Sequence, residues 1–278
     1  PEDQFDINQF ASVATIGRVV FTAMLSPVFC FFGAVGPVWA VVALTLPVGL
    51  ETLVSWYFSR RYIQNLPSGT EDPPQVREIL RFNLPLTVGG YFLSLATIAV
   101  AAFIARAPDP EIVLPAYYLA LGLANPVAFA ATRIQTLVLM FTPTKPVRRR
   151  ILHFAGGAGL VLGILPLAFI LPGPAELYYV QLQNLAPQHL GIVRQTALAL
   201  ALFPLAVALR AHIEGVAASL RRSVSVLVGH AALLATISVC GVAALALSFP
   251  GYWIGAFCLT FGSAASSATM GWSLRQRD

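Results

Sequence analysis

An all-α membrane protein, polytopic with about eight transmembrane helices and both termini in the cytoplasm, is the fold class the sequence predicts. Three observations carry that expectation. Of the 278 residues, 57% are hydrophobic and 10% are charged, where a soluble domain carries about 45–50% and about 25%. Mean hydropathy is +0.76, so a water-facing surface cannot be assembled from the charges available, and an apolar-poor disordered chain is excluded by the same composition. The apolar residues form long unbroken runs, each near the ~20 residues that cross a bilayer as a helix, instead of the alternating ~10-residue segments of a β-barrel. The basic residues, finally, collect in every second loop.

The chain opens on a polar stretch, 1–9, and begins at Pro1 without an initiator methionine, which suggests a start partway along a longer polypeptide. The first apolar run is 15–34, containing Arg18, and Gly36-Pro37 marks a tight turn. The second run, 38–58, ends on Trp56-Tyr57-Phe58, an interfacial aromatic belt. A hydrophilic segment, 59–82, holds Pro67-Ser68-Gly69 and Pro73-Pro74 and reads as a cytoplasmic linker. The third run, 83–105, opens on Asn83-Leu84-Pro85-Leu86, with Pro85 suited to a first helical turn. The fourth, 112–141, is too long for a straight perpendicular span, and Pro115 and Pro126 predict a tilt or a break. A basic loop, 142–150, precedes the fifth run, 151–171. Residues 172–190, with Tyr178 and Tyr179, read as an interfacial loop or short helix. The sixth run, 191–214, has Pro204 in its middle and is followed by a loop, 215–222. The seventh is 224–248, Phe249-Pro250-Gly251 turns the chain, and the eighth is 252–273.

Alternating the loops about these runs tests the count. With 59–82 on one side, that side holds twelve Lys and Arg: Arg60, Arg61, Arg77, Arg81, Lys145, Arg148, Arg149, Arg150, Arg221, Arg222, Arg275 and Arg277. The opposite loops hold Arg106 and, at a boundary, Arg194. The positive-inside rule places the rich side in the cytoplasm, and an error of one span would destroy the asymmetry. The net charge of +5 is therefore explained by topology without a nucleic-acid partner. Gly159-x-x-x-Gly163 and Gly251-x-x-x-Gly255 place small residues on one helix face, where backbones can approach closely.

The order of these features resembles the multidrug/oligosaccharidyl-lipid/polysaccharide exporter superfamily. The carrying residues are Leu84-Pro85-Leu86 after Ile79-Leu80-Arg81-Phe82, the stretch 105–111 followed by 117–125, and Arg210 to Gly215 with Arg221-Arg222. The stretch 105–125 is similar to the progressive ankylosis-like branch. The resemblance covers about 200 residues. It implies two lobes of six helices joined by a cytoplasmic linker. On that plan residues 1–58 hold the last two helices of a first lobe, 59–82 the linker, and 83–278 a six-helix second lobe. It further implies export, by alternating access, of phosphate-bearing anions.

Ionisable residues deep in a span are expensive and mark function by default. Glu51, in the second run, is the candidate for proton or ion coupling; the competing reading pairs it with Arg60 or Arg61 near the headgroups. Arg133 and Gln135, with Asn125 at a helix break before Pro126, are candidates for substrate binding; Arg133 snorkelling to the interface is the alternative. Arg194, Arg210 and Glu214 complete the candidates. Arg210 and Glu214 stand four apart on one face, so they can equally form a structural ion pair. Deep arginines outnumber deep carboxylates, which favours an anionic substrate, since Arg binds phosphate bidentately.

The cysteines Cys30, Cys240 and Cys258 read as small buried residues, and His153, His189 and His230 lack metal-ligand spacing. No Walker loop or nucleophile elbow is present in the sequence, so neither an enzyme nor a cofactor is expected. The expected function is a secondary transporter or flippase, in a bacterial inner (cytoplasmic) membrane, exporting an anionic, phosphate-bearing solute or a lipid-linked sugar. The alternative is a non-transporting accessory subunit of a larger membrane complex. Expected partners are membrane lipid, that anionic substrate and other membrane subunits.

Overall fold

The computed structural model describes residues 14–276 apart from 15–16, 19, 26, 30, 35, 65–74 and 142–144. Pro67-Ser68-Gly69, Pro73-Pro74, Cys30 and the tail at Arg277 lie outside the described residues. Everything regular among the described residues is helical, and six helices are long and apolar enough to cross a membrane.

The chain divides into two compact units, residues 1–73 and 74–278. In the first, α1 spans Pro37–Gln64, and Val20–Phe29 forms a shorter apolar helix. Arg18 meets Glu51 of α1 at 3.2 Å. Glu51 thus takes a partner from the preceding helix, one the sequence reading did not name. Arg60 lies over the Trp56 ring, 5.7 Å from its centre.

The second unit contains α2 (Val76–Ile104), α3 (Pro110–Thr132), α4 (Ile134–Met140) and α5 (Lys145–Ala168). A short α6 (Pro172–Ala175) runs into a π-helical stretch, Glu176–Leu182, and a 3-10 turn, Pro187–His189. Then come α7 (Leu190–Ala199), α8 (Phe203–Ser219), α9 (Ser223–Ala246) and α10 (Gly251–Arg275). Helix α8 is the hub: it packs against α3, α4, α5 and α10, and more lightly against α9. Helices α2, α9 and α10 form a second tight group.

Four local expectations are corrected. Pro85 is no helix start: α2 begins at Val76 inside the segment assigned to the linker, and Pro85 sits in its interior. Arg77, Glu78, Leu80 and Arg81 are good helix formers, so the helix projects beyond its apolar part. The long fourth run breaks at Arg133 and not at Asn125-Pro126; Pro115 and Pro126 are both accommodated within α3. The sixth run breaks at 200–202, so Pro204 lies in the first turn of α8, where its missing N–H has no helical partner to lose. Helix α8 then continues to Ser219, leaving 220–222 as the turn.

The core is built from small residues. On α3 the buried face reads Val113, Ala116, Tyr117, Ala120, Ala124, Ala128 and Ala131, spaced at three and four. Both small-residue motifs act as the sequence suggested. A Cβ on Gly159 would stand 2.7 Å from the Leu205 Cα, and one on Gly163 would strike the Ala201 carbonyl oxygen, so both admit the α7–α8 segment against α5. Gly251 and Gly255 admit Ala107, Val113 and Tyr117 against α10. Without a hydrophobic drive between lipid-bathed helices, such backbone approach supplies the van der Waals contact that holds them.

Polar side chains are satisfied locally. Thr45, Thr52, Thr87, Thr196, Ser238, Thr260, Ser267 and Thr269 each donate to the carbonyl four residues back. A hydroxyl facing hydrocarbon has no water to bond, and the preceding turn is the nearest acceptor.

Candidate functional site

The turns and ends rich in arginine gather at one end of the second unit. An Arg222 amine donates to the Leu274 carbonyl at 2.8 Å, tying the α8–α9 turn to the last turn of α10. Ser225 and Ser273 share a hydrogen bond of 3.0 Å beside it. Toward the interior from this end, α8 and α9 carry the group most at odds with its surroundings.

That group is Arg210, Glu214 and His230. Arg210 Nε lies 3.2 Å from Glu214 Oε1, one helical turn apart on α8. The same oxygen receives the Nε2–H of His230 from α9 at 2.8 Å. The Arg210 and Glu214 side chains are only 12% exposed and that of His230 6%, which places a full ion pair and an imidazole nine-tenths out of solvent. The other ring nitrogen, Nδ1, takes no part in that bond. That Nδ1 is buried without a hydrogen-bond partner. It faces α2 at Gly89, where a Cβ would come within 2.7 Å. Only glycine lets the α2 backbone pass this close to the imidazole.

Buried charges of this kind are stable only while paired. His212, on the opposite side of α8, is also buried with an unpartnered Nδ1.

The other candidates fall elsewhere. Arg133 is exposed at the α3–α4 break, its guanidinium 5.9 Å from the centre of the Phe129 ring. Asn125 is exposed on α3, within an unbroken helix. Gln135 is half-buried on α4, and its backbone lies against Gly215 of α8, where a Cβ would be 3.0 Å from the Gln135 carbonyl oxygen. Arg194 on α7 donates from Nε to the Ile170 carbonyl, closing the end of α5. Glu51 is held by Arg18 in the first unit. Of the named candidates, the structure brings together Arg210 and Glu214 and adds His230. Tyr179, also absent from the candidates, is fully buried in the π-helical stretch against Tyr178, their ring centres 5.1 Å apart.

Fold and site together define a helical integral membrane protein with an ionisable cluster buried in its bundle. The chain matches no family model, no curated protein and no solved structure.

Proposed function

We propose that the protein is a secondary transporter or flippase for an anionic, phosphate-bearing substrate, working by alternating access with both termini in the cytoplasm. The observation that carries this reading is the buried Arg210–Glu214–His230 cluster. A bundle needing only to be stable gains little from an ion pair in its interior, because desolvation offsets the attraction. Ionisable groups at such depth are the means by which transporters couple substrate to protons. The bends at Arg133 and at 200–202 give two spans discontinuous geometry, as transporter helices have at their binding sites. In this scheme Arg210 offers charge to the anion, Glu214 balances it, and His230 carries the proton. The eight-span count includes 15–34 and α10, which lie outside the six most apolar helices. The twelve basic residues orient the chain.

Purified protein in proteoliposomes tests the reading with two probes, radiolabelled inorganic phosphate efflux and translocation of a fluorescent anionic phospholipid. Flux of either probe above empty vesicles, lost in Arg210→Ala and Glu214→Gln and kept in Arg106→Gln, supports it. Flux equal to empty vesicles, or unchanged in both cluster variants, overturns it.

One observation favours a second reading, a non-transporting subunit of a membrane complex. Arg18, Arg194, Arg210 and Glu214 each already have a partner within the chain, as structural charges would. Isolation in a fixed stoichiometry with other membrane proteins, together with absence of flux, would favour it.

A further inference from the structure

At the arginine-rich end, the first turns of α2 and the α8–α9 turn enclose an open cleft of about 630 Å³. Three arginines line it, Arg81 from α2 and Arg221 and Arg222 from the turn, against a single carboxylate, Glu78. Ser223 and Ser225 stand at its floor, both 5% exposed, at the start of α9. Ile79, Phe82 and Val224 form an apolar flank on the same cleft. Exposure of Ile79 at 46% and of Val224 at 52% leaves that flank open to whatever lies beside the helices.

We propose that this cleft binds a phosphate ester, the anionic group seated between Arg81 and Arg221. Its flank favours a phospholipid headgroup over a soluble phosphate. The charge balance is the first ground: three guanidiniums around one cleft, with one carboxylate among them, attract a dianion or a phosphodiester and repel a cation. Guanidinium forks match phosphate oxygens bidentately. Geometry is the second ground. Arg222 is anchored to the Leu274 carbonyl through one amine, which holds the turn in place and lets Arg221 and Arg81 approach a ligand from two sides. The third is the flank, since an acyl chain leaving a bound headgroup must run along apolar surface, and Ile79, Phe82 and Val224 supply it. Positively charged membrane-facing sites of this composition meet the anionic lipids of the cytoplasmic leaflet. The site is separate from the Arg210–Glu214–His230 cluster and needs no transport to be occupied.

Native mass spectrometry of the purified full chain, with short-chain phosphatidylglycerol, phosphatidylcholine and inorganic pyrophosphate offered separately, reads occupancy directly. The doubly substituted chain Arg81→Gln/Arg221→Gln alters two exposed side chains and should melt with the wild type. Losing the charge-assisted contacts should weaken phosphatidylglycerol binding about tenfold or more, while Arg106→Gln at the other end of the unit binds as wild type. Preference for phosphatidylglycerol over phosphatidylcholine, lost in the double variant, identifies a lipid source. Binding of pyrophosphate lost in the same variant, without lipid preference, identifies a soluble source of the same chemistry. Wild-type binding of both anions by the double variant, or no binding of either by the wild type, overturns the proposal.

Discussion

Glu214 shows what a single residue can reveal from sequence and what it cannot. Its spacing to Arg210 announces an ion pair, because residues four apart share a helix face. Its second partner, His230, lies sixteen positions on, across the α8–α9 turn, and no periodicity links the two. Only the packing of α9 beside α2, with Gly89 opposite, places the imidazole there. Glu51 likewise has a partner that spacing does not announce, Arg18 of the preceding helix. Removing one member of the buried pair should be costly. Glu214→Leu should lower stability by about 3–5 kcal/mol, leaving Arg210 uncompensated, whereas Arg210→Met/Glu214→Leu should cost much less. Thermal unfolding in detergent distinguishes the two, and equal losses would show that the pair is not coupled. Arg221 makes an opposite case. It holds the left-handed conformation, φ 54°, that ends α8, with the Arg222 N–H reaching back to the Ala217 carbonyl at 2.8 Å. Arg221→Gly should therefore raise stability by about 1 kcal/mol by relieving the Cβ strain, while weakening phosphatidylglycerol binding. A lower melting temperature in that variant would contradict the strain argument.

At the scale of elements, the apolar runs were legible and their interruptions were not. Proline was the wrong guide: Pro115 and Pro126 sit inside α3, while the breaks come at Arg133 and at 200–202. A bundle can hold a proline by filling the gap it leaves, so a proline in sequence does not say where a span divides. Glycine was the better guide, because close approach of two backbones excludes any larger residue. Gly163→Leu should separate α5 from the α7–α8 segment and cost about 1–3 kcal/mol. Gly156→Ala, with open space beside it, should leave the melting temperature unchanged or slightly raised. Comparable losses from both variants would mean that the close approach at Ala201 does not set Gly163 apart.

For the whole molecule, composition made the class readable, while the proposed topology rests on the charge distribution. Within the second unit Arg81, Arg221 and Arg222 line one cleft, and Arg222 bonds the Leu274 carbonyl next to Arg275. A chain cleared of Cys30, Cys240 and Cys258 and given single cysteines at Arg150, Arg275, Asp109 or Gln188 tests the side on which each lies. Arg150 and Arg275 should label from the cytoplasm and Asp109 and Gln188 from outside; a mixed result would break the eight-span scheme. What composition could not reveal is the site itself, because three residues in 278 leave averages unchanged.

Helix α10 adds one more consequence. It is 25 residues long, yet Ser263, Ser266 and Ser267 lie buried along it and it falls short of the six most apolar helices. A segment that carries buried hydroxyls and falls short in hydropathy enters the bilayer poorly by itself. Biogenesis of this protein should then be sequential, with α9 and α8 already in the membrane before the last helix is accepted. In a glycosylation-mapped insertion assay, α10 alone should integrate less efficiently than α10 preceded by α9.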